Sequence, residues 1–263
     1  AFLIIWIRRS LREPQSWVSA RNRASEKPEE RMGAIGDLFK GQLLRSTLVG
    51  ITLGTIGLAT FWGTHIYGKD ILRGAAEEQI IASAFPDPVA TPIPDEAIAT
   101  VLEENKVPIK RWEMLGMFLT TTGGGIGLLC FGPLSQRIGR RGAFLFFHLG
   151  GLASALLVFL VPLGVSTLYV VLPIFGFLTL GMHAGYAIYF PELYPTRLRA
   201  TGAGFCFNGG RILAAPVLFL SGWMQNDWGF TLTSAAATLS LLFLIGAAVL
   251  LFAPETRGRK LPE

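Results

Sequence analysis

Six stretches, at roughly 43–66, 112–134, 143–163, 168–190, 201–223 and 230–252, are rich in apolar residues and almost free of charge. An α-helix rising 1.5 Å per residue needs about 20 mostly apolar residues to cross about 30 Å of hydrocarbon, so each is predicted to span a bilayer. The connectors between the last five are short, which makes sequential helices antiparallel neighbours. The expected fold is an all-α membrane protein, a six-helix transmembrane bundle over residues 43–263.

The polar segments divide the rest. Residues 1–7 form an apolar stub followed at once by Arg8 and Arg9. A signal peptide carries its positive charges before the apolar run, so the stub reads as the end of a further transmembrane helix. Residues 8–42 are basic and broken by Pro14 and Pro28, as suits a cytoplasmic connector with short surface helices. Residues 67–110 contain five prolines and are too polar to lie in lipid; short helices are expected at 71–84 and 95–105 within this extracytoplasmic loop.

Composition changes little in this picture and excludes alternatives. Hydrophobic residues make up 51% of the chain and the mean hydropathy is +0.48, high for a soluble domain. The net charge of +5 sits in clusters beside the apolar spans rather than along one polar face, which argues against nucleic-acid binding. With the stub exiting into the cytoplasm, the inside segments hold seventeen Lys and Arg against five outside, so the C-terminus is expected to be cytoplasmic, in a plasma or inner membrane. Cys130 and Cys206 both lie in apolar segments and read as packing residues. No metal-ligand or cofactor-binding pattern occurs, and no nucleophile or carboxylate pair is placed for catalysis, so neither an enzyme nor a cofactor is expected.

Four short motifs fall between these spans. Gly132-Pro-Leu-Ser-Gln-Arg-Ile-Gly-Arg-Arg141 resembles the G-x-x-x-D-R-x-G-R-R loop of major facilitator transporters. Arg12-Glu13-Pro-Gln-Ser-Trp17 looks like the sugar-porter motif after helix six. Pro191-Glu-Leu-Tyr-Pro-Thr-Arg197-Leu-Arg199-Ala-Thr-Gly202 looks like the loop between helices ten and eleven, and Pro254-Glu-Thr-Arg-Gly-Arg259 is similar to the motif after helix twelve. Their order against the spans resembles the C-terminal half of a twelve-helix major facilitator fold, with the N-terminal six helices absent from this chain. The resemblance implies secondary active transport of a small polar metabolite by alternating access, with protons as the expected coupling ion. Gln136 replaces the family's aspartate, and the glutamine pattern of sugar porters is missing from the first span. The Glu192–Gly202 stretch looks closer to symporters of organic acids, so organic acid and sugar both stand as substrate classes. A transporter-like nutrient sensor that moves nothing is the competing function.

Two sets of residues could carry the mechanism. Arg137, Arg140, Arg141, Arg197, Glu13, Glu192 and Glu255 fall at inner helix ends, where the resemblance implies a cytoplasmic gate; the alternative is that the arginines only satisfy the positive-inside rule. Arg211 lies about 15 Å into a core of about 30 Å, where a charge needs a cavity or a partner, unless its span starts later and it snorkels inward. His183 lies about 13 Å from the inner face and either binds a substrate or proton or is a neutral packing imidazole. Thr60, Trp62, Thr121, Tyr186 and Asn208 are candidates for lining a hydrophilic cavity, although such residues also serve helix packing. Gly123-Gly-Gly125 reads as a close helix contact or a hinge.

Overall fold

The computed structural model describes residues 6, 9, 13–27, 30–86 and 93–262. The stub at 1–7 therefore lies almost wholly outside the described residues. Among the described residues all regular structure is helical: α1 (Gln15–Glu26), α2 (Gly41–Gly63), α3 (Gly68–Ala84), α4 (Asp95–Glu104), α5 (Lys106–Leu160), α6 (Val165–Leu180), α7 (His183–Glu192), α8 (Arg199–Asn226), α9 (Leu232–Ser240) and α10 (Leu242–Val249). Among the described residues, five helical stretches are long and apolar enough to cross a membrane, namely Gly41–Ala84, Lys106–Leu160, Val165–Glu192, Arg199–Asn226 and Leu232–Val249. The chain is an integral membrane protein.

The spans expected at 112–134 and 143–163 are two helical arms, together labelled α5, that meet at Gly139. The run is not straight. Gly139 has φ 86°, outside the helical region, and the chain reverses there. Phe131 and Phe147 would lie about 24 Å apart along a straight helix, yet their ring centroids are 5.7 Å apart. α5 is thus a hairpin of two arms, residues 106–138 and 140–160. The span expected at 168–190 is broken differently, by a turn at Gly181–Met182 between α6 and α7.

Helices in lipid gain little from burying apolar surface against one another, so association depends on close packing. α2 and α8 meet through small residues: a Cβ on Gly210 would stand 2.8 Å from the Gly54 backbone, and one on Gly50 would stand 2.6 Å from the Cys206 sulfur. The first arm of α5 meets α6 more closely still. A Cβ on Gly123 would fall 1.9 Å from the Pro173 carbonyl oxygen, and one on Gly176 would fall 1.9 Å from that of Thr120. Gly123 is therefore a helix contact, whereas the bend lies at Gly139.

The two largest apolar clusters form layers in the bundle. One, with Phe131, Phe144, Phe147, Tyr189, Phe190 and Tyr194, lies toward the end carrying the arginine-rich loops. The other, with Leu72, Val158, Phe159, Leu168, Leu172 and Phe175, lies toward the end carrying α3. At that second end Lys69 bonds Asp70 and Glu113, each at 3.2 Å, which ties α3 to α5. The short helices expected in the 67–110 segment are α3 and α4.

Candidate functional site

Three loops converge at the arginine-rich end. Gly139 turns the backbone so that the N–H groups of Arg140 and Arg141 point at the Glu255 carboxylate, at 2.9 and 3.1 Å. Thr256 and Arg257 donate their own backbone N–H groups to the same carboxylate at 3.0 and 2.9 Å. A Cβ at position 139 would stand 2.5 Å from a Glu255 oxygen, so glycine serves both the turn and the approach. Burial pushes the Glu255 carboxyl up, but the backbone donors of Arg257, Arg140, Arg141 and Thr256 together outweigh it and hold the group below its usual value.

The Arg140 side chain then reaches Glu192 at the end of α7. Its Nε and Nη2 donate to the two carboxylate oxygens at 3.1 and 2.8 Å, a two-pronged pairing of mostly shielded groups, 13% and 17% exposed. The Thr256 hydroxyl donates to Glu192 at 2.6 Å, and Arg140 also donates to the Ser135 hydroxyl at 2.9 Å. Tyr189 donates its hydroxyl to the Pro254 carbonyl at 2.7 Å, adding another tie from α7 to the segment after α10. One arginine and two carboxylates thus join the α5 hairpin, the α7–α8 loop and the segment after α10.

The other predicted gate residues are placed differently. Arg197 pairs with Asp37 at 2.6 Å and so anchors the connector rather than meeting Glu192. Lys40 and then Arg197, through their hydrogen bonds, hold the Asp37 carboxyl below its usual value. Arg141 contributes its backbone N–H to the cluster, and the Arg137 carbonyl accepts a hydrogen bond from Arg257. Glu13 is exposed and makes no ion pair among the described residues. Ser135 and Thr256 stand inside the motifs, but as uncharged residues they carry no signal in the sequence that marks them as partners of Arg140 and Glu192. Asp37 lies in the connector without any motif to mark it.

The candidates at mid-depth separate into two groups. His183 and Tyr186 pack against each other, with ring centroids 5.4 Å apart, and Phe61 bridges from His183 to Trp62. Thr60 is buried in the interior and donates its hydroxyl back to the Ile56 carbonyl of its own helix at 2.9 Å, so packing rather than a cavity holds it. Thr121 is exposed on the first arm of α5. Asn208 and Arg211 lie on the exposed face of α8, away from the Gly210 contact with α2; Asn208 donates to the Gly204 carbonyl, and the Arg211 guanidinium stands 5.1 Å from the Phe207 ring centre. α8 begins at Arg199, which places Arg211 about 18 Å along a helix of 28 residues, near its middle.

Comparison with known proteins agrees with the motif reading. No family model matches the chain. A Haemophilus influenzae protein named for metabolite transport is 31% identical over 144 residues, 54% of this chain and 35% of that protein. The Escherichia coli inner membrane metabolite transport protein YhjE is 31% identical over 163 residues, 58% of this chain and 36% of its own. Organic anion transporter 3 of the pig, Sus scrofa, is 38% identical over 117 residues, 43% of this chain and 20% of its own. The chain spans about a third or less of the length of these curated relatives. Its similarity is to transport proteins, over about half of its residues.

Proposed function

We propose that this chain is the C-terminal six-helix half of a secondary active transporter that carries a small polar metabolite by alternating access. Counting the α5 hairpin as two crossings gives six, with the arginine-rich ends and the C-terminus cytoplasmic and residues 67–110 outside. The observation that carries the reading is the Arg140–Glu192–Thr256–Glu255 network, which fastens three interhelical segments at one end. Such ties hold that end closed in one state and release when it opens. The absent N-terminal half would complete the site, and protons are the coupling ion in this reading.

An organic acid is favoured over a sugar. Arg211 exposes a cation at mid-depth, where an anionic substrate or an acid of the other half would neutralise it. The likeness to a protein named as an organic anion transporter supports the same class. Reconstitution of the full-length protein in liposomes tests the reading, with uptake of organic anions and neutral sugars measured with and without a pH gradient. Anion uptake that falls at least tenfold in Arg211→Ala and recovers partly in Arg211→Lys is expected. A protein that binds these solutes but transports none of them would instead be a sensor.

A further inference from the structure

A buried polar atom without a partner is rare enough to call for an explanation. Among the described residues, three such atoms lie in one aromatic cluster: His183 Nε2, His148 Nε2 and the Tyr186 hydroxyl. The cluster is continuous. Tyr186 stacks on Phe144 at 5.7 Å, Phe144 meets His148 at 6.3 Å, and His183 meets Tyr186 at 5.4 Å. Phe61 carries the chain onward to His65, whose Nδ1 bonds the Thr179 hydroxyl at 2.7 Å. All three histidines of the protein therefore gather in the bundle interior.

The tautomers follow from the hydrogen bonds. His183 Nδ1 faces the Leu180 carbonyl at 3.0 Å and His148 Nδ1 faces the Phe144 carbonyl at 2.7 Å, so each of these nitrogens must carry the hydrogen. Each Nε2 is then left with a bare lone pair. For His183 the backbone of Gly57 lies near the ring, an acceptor within reach of a protonated imidazole. Tyr186 reaches the same glycine: a Cβ on Gly57 would fall 1.8 Å from its hydroxyl. His183 is also the first residue after the break between α6 and α7, where the Leu180 carbonyl it binds is freed from the helix ladder. Interrupted helices at mid-membrane are where transporters place their sites.

The geometry points to His183 Nε2 as the site that takes up one proton in the transport cycle, with the Tyr186 hydroxyl and His148 as its polar neighbours. This deepens the transporter reading and rests on it. One proton binds Nε2, the ring becomes a cation whose Nδ1–H stays on the Leu180 carbonyl, and the same proton leaves on the other side. The ionisable groups that face His183 are His65 from the segment after α2, His148 from the second arm of α5 and Tyr186 from α7. A dry bundle holds a charged ring only at high cost, so uptake has to wait until water reaches the break. Proton binding is thereby tied to opening of the helix pair.

Two measurements on the full-length protein test this. In liposomes, the ratio of substrate uptake with an inward proton gradient to uptake without one is expected to fall to about one in His183→Gln. Tyr186→Phe keeps the stacked ring and is expected to displace the pH profile. In nitrogen-15 histidine spectra, where each single His→Gln variant assigns one of three rings, His183 is expected to show the Nδ1–H tautomer at alkaline pH and to gain a proton at acid pH under opening conditions. A His183→Gln protein that keeps the wild-type gradient ratio overturns the inference, as does a His183 ring unchanged across the whole pH range. If the wild-type protein shows no gradient-dependent uptake, it is the proton-coupled transporter reading that fails, and the spectra still report on the ring.

Discussion

Removing the Arg140–Glu192 contact tests whether the arginine-rich end is fastened. Exposed pairs contribute about 0–1 kcal/mol, whereas deleting one partner of a buried pair costs about 3–5 kcal/mol. This pair lies between the two limits but nearer the buried one, because its side chains are 13% and 17% exposed and the carboxylate accepts two guanidinium bonds and a hydroxyl. A coupling of about 2 kcal/mol follows, roughly thirtyfold in an equilibrium constant. The assay is a double-mutant cycle of Arg140→Gln, Glu192→Gln and the double variant, read by unfolding the full-length protein with denaturing detergent in mixed micelles. Lys27–Glu30 serves as the control, at 3.6 Å with side chains 62% and 38% exposed, and its coupling is expected below about 0.5 kcal/mol. Effects at Arg140 and Glu192 that add to within about 0.5 kcal/mol would refute the fastening role.

Further outcomes follow from the same structure. Glu255 has a folded-state value below its usual 4.5, so the unfolded state binds more protons in the window beneath that value and stability rises with pH there. The stability difference between the wild-type protein and Glu255→Gln should be fully present above the usual carboxylate range, then disappear as pH falls through the lowered value; a difference that stays constant across the acid range counts against the backbone cradle. Gly123→Ala should cost about 1–3 kcal/mol in thermal or detergent unfolding because its methyl group meets the Pro173 backbone. Gly125→Ala, two residues on with open space around it, should stay within about 0.5 kcal/mol, and equal effects at both positions would show that the α5–α6 contact is not decisive.

The apolar runs determined that the protein enters a bilayer and roughly where its helices lie, since length against hydrocarbon thickness is a property of local sequence. The same local reading located Glu192 and Arg140 inside their motifs. It could not show that Glu192 takes Arg140 while Arg197 takes Asp37, because pairing depends on which loops the bundle brings together. The antiparallel pair formed by the two arms of α5 was legible in the short polar break between two apolar runs, but not that Gly139 makes the turn against Glu255. His148 and His65 stand near the ends of their apolar runs, yet packing brings both into one aromatic cluster with His183. Periodicity and charge act over one or two helical turns, whereas partners more than a hundred residues apart, such as Arg140 and Glu255, meet only when the whole bundle closes.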